Sequence, residues 1–441
     1  MQPCPDLAAP WGLAVRRWGL ASAMAWALMA PAGAGAAGRP VAIPGTEVQV
    51  TPARIIDYEF DWGRDGVNCP TCNGGDGNSR LAFTDAFYNL WVAHVDPTTG
   101  AFIPADGKGV LVDTMAAFAT DFGNGPEWAL SQLGSQLVYT KYSVATVPPT
   151  PADPQTAELA VASQSGGVWA PVALDNGDKK QSPLGTQDAS DAVPLLQYQD
   201  LAKVNTFWRV LNVPQSQVKV PVKGYNAGSR RWVPGTHKMI LSARGLQGTL
   251  ANGFRAVFLY DADTGALEQI TNEAANNQGA MMWRAPEYGG DFVFFTVRDG
   301  QQLVVYRQVS NGDGSSSWVV ISTVAMPAAT PYVWSPEYFI HNGKSYIFFQ
   351  MNTTSDSSDM TLPSRIGMVG ILPENAALVD LTPANAPDRV RMDPEYFITT
   401  QGPFIYYNRY KPQTDTKPFI GEGVWRVDTQ LGPPVTSLLR R

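Results

Sequence analysis

The chain has 441 residues, 44% of them hydrophobic and 16% charged, which supplies enough apolar surface for a large core and excludes a disordered polymer. Its formal net charge is -7 and no block of Lys and Arg occurs. A nucleic-acid partner, which calls for clustered cations, is therefore not expected.

Residues 1–37 read as an export signal. Arg16 and Arg17 precede the apolar run "WGLASAMAWALM" from Trp18 to Met29, and "APAGAGAAG" offers Ala-x-Ala cleavage sites ending at Ala34 or Ala36. That run is too short to cross a bilayer core of ~30 Å as a helix. An uncleaved anchor is the alternative, and the arginine pair leaves Sec and twin-arginine export both open. No later run is long and apolar enough to span a membrane, so the mature chain is expected to be soluble, periplasmic or secreted, and monomeric. Cys4 leaves with the signal. Cys69 and Cys72 in "VNCPTCNGG" then read as a disulfide closing a tight loop, since a zinc site needs four ligands and a redox pair usually opens a helix.

The whole chain holds 41 glycines, 35 prolines and 11% aromatic residues, and after an N-terminal extension, 38–54, the segment 55–434 is dominated by strand and turn signals between short apolar bursts. A residue pattern recurs in it. The Pro-Glu-aromatic triplets place Glu127, Glu287, Glu337 and Glu395 in register, with gaps of 160, 50 and 58 residues. The two short gaps suit one propeller blade of four antiparallel strands, and the long one holds about three. Degenerate units start at Val193 and at Arg230, where "RRWVPGTHKMILSAR" keeps the tryptophan and proline but not the glutamate. A further unit, "SRLAFTDAFYNLWVAHVDPTTGAF", precedes Glu127. The expectation is an all-β propeller of six or seven blades, with five as the lower bound, and a C-terminal tail at 435–441. A β-sandwich is the competing fold, but sandwiches rarely repeat a motif at blade spacing.

Within a unit, "WSPEYFIHNGKSYIFFQ" opens a strand at Glu337, turns at Asn342-Gly343 and returns. Glu395 and Glu127 head similar hairpins. In the Glu287 unit, Gly289-Gly290 cuts the first strand short. Two resemblances follow from these residues. Asp261, Thr264 and Gly265 match the Asp-x-x-Thr-Gly turn of TolB-type propellers, and Trp334, Ser335 and Pro336 match their Trp-Ser-Pro element, although Glu337 and Tyr338 replace its Asp-Gly. The same stretch is similar, at Trp334, Pro336, Glu337, Asn342, Gly343, Lys344 and Tyr346, to furanosidase-type glycosidases of the arabinanase and β-xylosidase kind. Those are five-bladed propellers with a base, an acid and a tuning carboxylate near the axis. Their early Asp-Pro is absent here, where "IIDYEFDWGRDG" offers Asp57, Asp61 or Asp65.

Successive blades bring equivalent positions around one axis, so glutamates on innermost strands converge at a channel mouth, where paired carboxyls can act as acid and base on a sugar. Glu337, Glu395, Glu127 and Glu287 are the catalytic candidates. Trp334, Tyr338, Tyr396, Trp128 and Trp283 are candidates for stacking on sugar rings. A role common to every blade, such as bonding a neighbouring strand's backbone or filling the core, competes for each of them. The expected partner is accordingly a carbohydrate or, if the propeller is a TolB-like scaffold, a protein. With only His94, His237 and His341, a histidine metal site is not expected. No cofactor is expected. The turns "NGGDGN" at Asn73 and "NGDGSSS" at Asn311 carry the oxygen ligands calcium takes, without the spacing of a known calcium loop, and read first as hairpin tips.

Overall fold

A computed structural model describes residues 41–42, 47–51, 55–61, 79–116, 125–142, 156–174, 180–200, 205–222, 230–246, 253–418 and 420–435. The export signal, Asp65, Cys69, Cys72 and the turn at Asn73 lie outside these residues. Seven antiparallel sheets follow one another in the sequence, at 57–113, 127–173, 180–219, 230–269, 277–325, 332–380 and 390–428, numbered here as blades 1 to 7. Within each, sequential strands are spatial neighbours, except that in blade 1 Phe102–Ile103 and Val110–Asp113 both pair with Leu90–Val95. The protein is a seven-bladed β-propeller. The unit expected from Val193 begins earlier, at Lys180, because the first strand of blade 3, Lys180–Gly185, carries no triplet to mark it.

Turn chemistry explains the outer hairpins. In "DADTG" the Asp261 carboxylate accepts from the backbone N–H of Asp263 and Thr264, while Gly265 takes the left-handed conformation at φ +72°. "DPTTG" repeats this in blade 1 through Asp96, Thr98, Thr99 and Gly100. The turn at Asn311 is a hairpin tip between Gln302–Ser310 and Ser316–Ala325, and its Asp313 accepts from the backbone N–H of Ser315.

Blades pack face to face through aromatic side chains. Trp283 of blade 5 stacks on Tyr338 of blade 6 with ring centroids 4.3 Å apart, and Phe339 of blade 6 stacks on Tyr396 of blade 7 at 5.4 Å. A recurrent bond accompanies this packing. The Trp128 Nε1–H of blade 2 donates to the Glu59 carbonyl of blade 1 at 3.0 Å, and the Trp232 Nε1–H of blade 4 to the Leu184 carbonyl of blade 3 at 3.0 Å. A buried indole N–H needs such a partner, and here it ties neighbouring blades together.

Described residues from the stretch before Ile55 pair with the propeller's sheets. Val48–Thr51 pairs antiparallel with Ile420–Asp428 as the outermost strand of blade 7, and Val41–Ala42 runs parallel to Val379–Asp380 on blade 6. The ring is thus closed by strands from both ends of the chain. On the other side of that junction, the Tyr406 hydroxyl of blade 7 donates to the Gly100 carbonyl of blade 1 at 2.7 Å.

Candidate functional site

The first strand of each blade lines the axis. A cavity of about 400 Å³ is bounded by Asp57, Glu59, Glu127, Arg231, Met281, Glu337, Asp393 and Glu395, among others. A smaller cavity of about 70 Å³ is lined by residues further along the same strands, including Trp128, Leu184, Gly185, Trp232 and Tyr338. Glu59, Glu127, Arg231, Met281 and Glu337 line both. They therefore mark one level of the channel where wide mouth gives way to narrow throat.

Strand pairing explains this common level. Glu59, Glu127, Leu184, Arg231, Met281, Glu337 and Glu395 are the residues of blades 1 to 7 at equivalent places on their innermost strands, each followed by a residue that turns to the inter-blade core: Phe60, Trp128, Gly185, Trp232, Met282, Tyr338 and Tyr396. In blades 3, 5, 6 and 7 a bulge comes two residues earlier, at Ser182, Gly279, Ser335 and Asp393. All four have positive φ, between +42° and +62°. The bulge re-aims the strand, as bulges beside functional sites often do. Blade 1 adds Asp57 two residues before Glu59, on the same strand face. Gly125 sits against it, where an added Cβ would lie 1.5 Å from Asp57 Oδ2.

Six carboxyl groups, those of Asp57, Glu59, Glu127, Glu337, Asp393 and Glu395, thus line the wide cavity with one guanidinium, Arg231. Their electrostatics follow from crowding and burial. Burial is the largest cause of the rise of Glu127 to about 8; Arg231 opposes it, and the charges of Glu337 and Asp57 add to it. Burial likewise lifts Glu337 to about 7 against Arg231 and a hydrogen bond accepted from Glu395. Glu395 and Asp393 are pushed well above the carboxylate range, first by burial and then by neighbouring acids, Glu337 for the one and Asp57 for the other. Asp393 and Asp57 share a second carboxyl-to-carboxyl hydrogen bond. The fields of Glu127, Glu337, Glu59 and Glu395 hold Arg231 firmly charged against the desolvation that opposes them.

The sequence candidates fall into two groups. Glu127, Glu337 and Glu395 come together in the channel, and Trp334 stands at its rim, half-buried, lining the wide cavity. Glu287 is out of register. It lies in the short 3-10 turn Pro286–Tyr288 after the innermost strand, and its carboxylate accepts from the Ser345 backbone N–H at 2.7 Å and the Ser345 hydroxyl at 3.0 Å. Met281 takes the channel position in blade 5, and the Gly289-Gly290 turn that displaced Glu287 was the sequence sign of it. Trp128, Trp283, Tyr338 and Tyr396 are buried between blades, though Trp128 and Tyr338 also edge the throat.

Asp57, already a candidate, takes its place in the cavity, whereas Asp61 is buried in an ion pair with Arg80 at 2.8 Å. Glu59, Arg231 and Asp393 join the cavity without standing among the sequence candidates. Arg231 precedes Trp232 as Glu127 precedes Trp128, so the degenerate unit did carry the signal. Of the histidines, His341 is buried and bonded to Asn342, and His237 bridges Asp191 and Asp263 on blade edges. Among the described residues, no three His, Cys, Asp or Glu side chains gather closely enough to hold a metal ion.

No family model matches the sequence, and no curated protein matches it. Solved propellers are similar in shape. TolB from Acinetobacter baumannii aligns over 70% of this chain and 80% of its own at 15% identity, with a TM-score of 0.34. The β-propeller domain of Cps50 (Swd1) from Myceliophteria thermophila aligns over 87% and 100% at 9% identity, TM-score 0.49. An oligogalacturonate lyase from Vibrio parahaemolyticus aligns over 87% and 93% at 12% identity, TM-score 0.46. At these values the likeness is one of propeller form and carries no argument about activity.

Proposed function

We propose that this is an exported propeller that binds a carbohydrate at the wide mouth of its channel and cleaves it by acid–base chemistry. The observation that carries the reading is the convergence of six carboxyls on one cavity of about 400 Å³, within the size range of small-ligand pockets. Glutamates with only a role common to every blade would be bonded to neighbouring backbone, as Glu287 is. Glu127, Glu337 and Glu395 instead face the channel.

Roles follow from the unequal environments. Glu127, at about 8, is the group that holds its proton near neutrality and serves as general acid. Glu337, at about 7 and accepting from Glu395, is the carboxylate that acts as base or nucleophile. Trp334, half-buried and lining the cavity, is the aromatic side chain that a sugar there would stack on. Because one group must be protonated and the other ionised, the rate is expected to follow a bell with limbs near 7 and 8.

The test is a glycan array followed by a panel of chromogenic glycosides, using wild type, Glu127→Gln and Glu337→Gln. The reading predicts binding of at least one glycan and loss of its cleavage in both variants, with circular dichroism unchanged. Folded protein that retains no glycan and cleaves no glycoside would contradict it and leave the propeller a protein-binding scaffold.

A further inference from the structure

We infer that the channel site takes a positively charged organic ligand, so that, if the carbohydrate reading holds, the sugar carries a free amine. The charge count at the cavity is lopsided: six carboxyls face a single guanidinium. They are contributed by blades 1, 2, 6 and 7, with Arg231 coming from blade 4. Arg230 lies beside it and is buried.

A second observation points to a donor-bearing ligand. Glu337 and Glu395 are 9% and 3% exposed, both line the cavity, and the Oε2 atom of each is reached by no N–H or O–H donor of the described residues. A buried acceptor without a donor is costly, and more so when charged. Besides water in the cavity, two things can relieve the pair. One is a proton, which lets Glu395 donate to Glu337 and Asp393 to Asp57. The other is a cation that brings its own N–H groups.

The kind of cation follows from the spacing. A calcium ion requires six to eight oxygens at about 2.3–2.6 Å. The acids here line one arc of the ring, on the adjacent blades 6, 7, 1 and 2, yet no three of the described His, Cys, Asp or Glu residues gather closely enough to hold a metal ion. An ammonium carries three N–H donors that several carboxyls can accept, and its charge adds to the one that Arg231 sets against the same acids. Such a ligand would replace protons on the carboxyls. Binding should therefore release protons near pH 6, below the titration of both Glu127 and Glu337.

The experiment is titration calorimetry on the mature full-length chain near pH 6, in two buffers of different ionisation enthalpy. The probes are a glucosamine tetrasaccharide, its fully N-acetylated counterpart and spermidine. The inference predicts that the glucosamine tetrasaccharide binds at least tenfold tighter than the acetylated one, with protons released, and that Glu395→Gln abolishes most of the difference. Proton-releasing binding of spermidine with neither sugar bound would uphold the cationic ligand and overturn the carbohydrate. Equal affinity for the acetylated sugar without proton release would uphold the carbohydrate and overturn the cation. Failure of both amines to bind would also overturn it.

Discussion

Glu287 and Glu337 sit in the same triplet and do different work. What separates them is the backbone around them. Before Glu337 the chain bulges at Ser335, φ +42°, and turns the carboxylate to the axis. After Glu287 it turns at Gly289 and Gly290, which leaves the carboxylate to clamp Ser345 of the next blade. The triplet alone does not separate them, since both blades bulge, at Gly279 and at Ser335; the glutamate's distance from that bulge does, and the glycine pair after Glu287 is its mark in the sequence. Ser335 is exposed, so its conformation can be tested directly. A left-handed non-glycine residue costs about 1–2 kcal/mol, and a β-branched one fits worse. Ser335→Val should lower the unfolding free energy in urea by at least ~1 kcal/mol, whereas Ser335→Gly should leave it equal or higher. A second residue-scale prediction concerns Gly125, whose added Cβ would strike the Asp57 carboxylate. Gly125→Ala should displace Asp57, cost more than the ~1 kcal/mol of an average substitution, and reduce ligand affinity.

At the scale of elements, the ring depends on Val48–Thr51 and on the residue just before it. The Glu47 carboxylate forms ion pairs with Arg391 at 3.2 Å and Arg409 at 3.1 Å, all three nearly buried, and accepts from the Tyr407 hydroxyl at 2.8 Å. Arg409 also pairs with Glu422 at 2.7 Å, which Arg389 shares. Removing one partner of a buried pair strands the other charge, at a cost of about 3–5 kcal/mol. Glu47→Ala should therefore lower stability by an amount of that order, measured by urea unfolding, and Glu47→Gln by less. The closing strand was not legible in the sequence. Four residues, "VQVT", with two exposed side chains carry little hydrophobic signal, and their partner lies some 370 residues away. Blades 5 to 7 were legible because each packs long apolar strands behind a triplet. The start of blade 3 carries no such mark, because Lys180–Gly185 meets the axis with Leu184 instead of an acid.

For the whole molecule, seven equivalent positions on one axis turn a repeat into a site. Four of them are glutamates, one is an arginine and two are apolar, an asymmetry that a purely structural ring would not need. The same asymmetry has a cost in stability. Glu127 and Glu337 give up protons near 8 and 7 in the folded chain but near 4.5 when unfolded. Between those values the folded state binds more protons than the unfolded one, so stability falls as pH rises through the window. Asp393 and Glu395 act in the same direction. Glu47, Glu273 and Glu422, held below the usual range despite their burial, act oppositely: Arg391 and Tyr407 anchor Glu47, Tyr306 and Arg298 anchor Glu273, and Arg389 and Arg409 anchor Glu422. Their contribution is present above about 4.5 and lost in acid. Stability should accordingly peak on the acid side of neutrality and decline toward pH 8.5.

The central claim is that the channel carboxyls are kept for a ligand and against stability. It is tested most directly by the melting temperature of the Glu127→Gln/Glu337→Gln double variant near pH 8.5, where wild type must ionise both groups inside the channel. The account predicts that the variant melts above wild type at that pH and that the difference shrinks near pH 5. A variant that melts several degrees below wild type at both would show that the two glutamates hold the blades together, and would contradict the account.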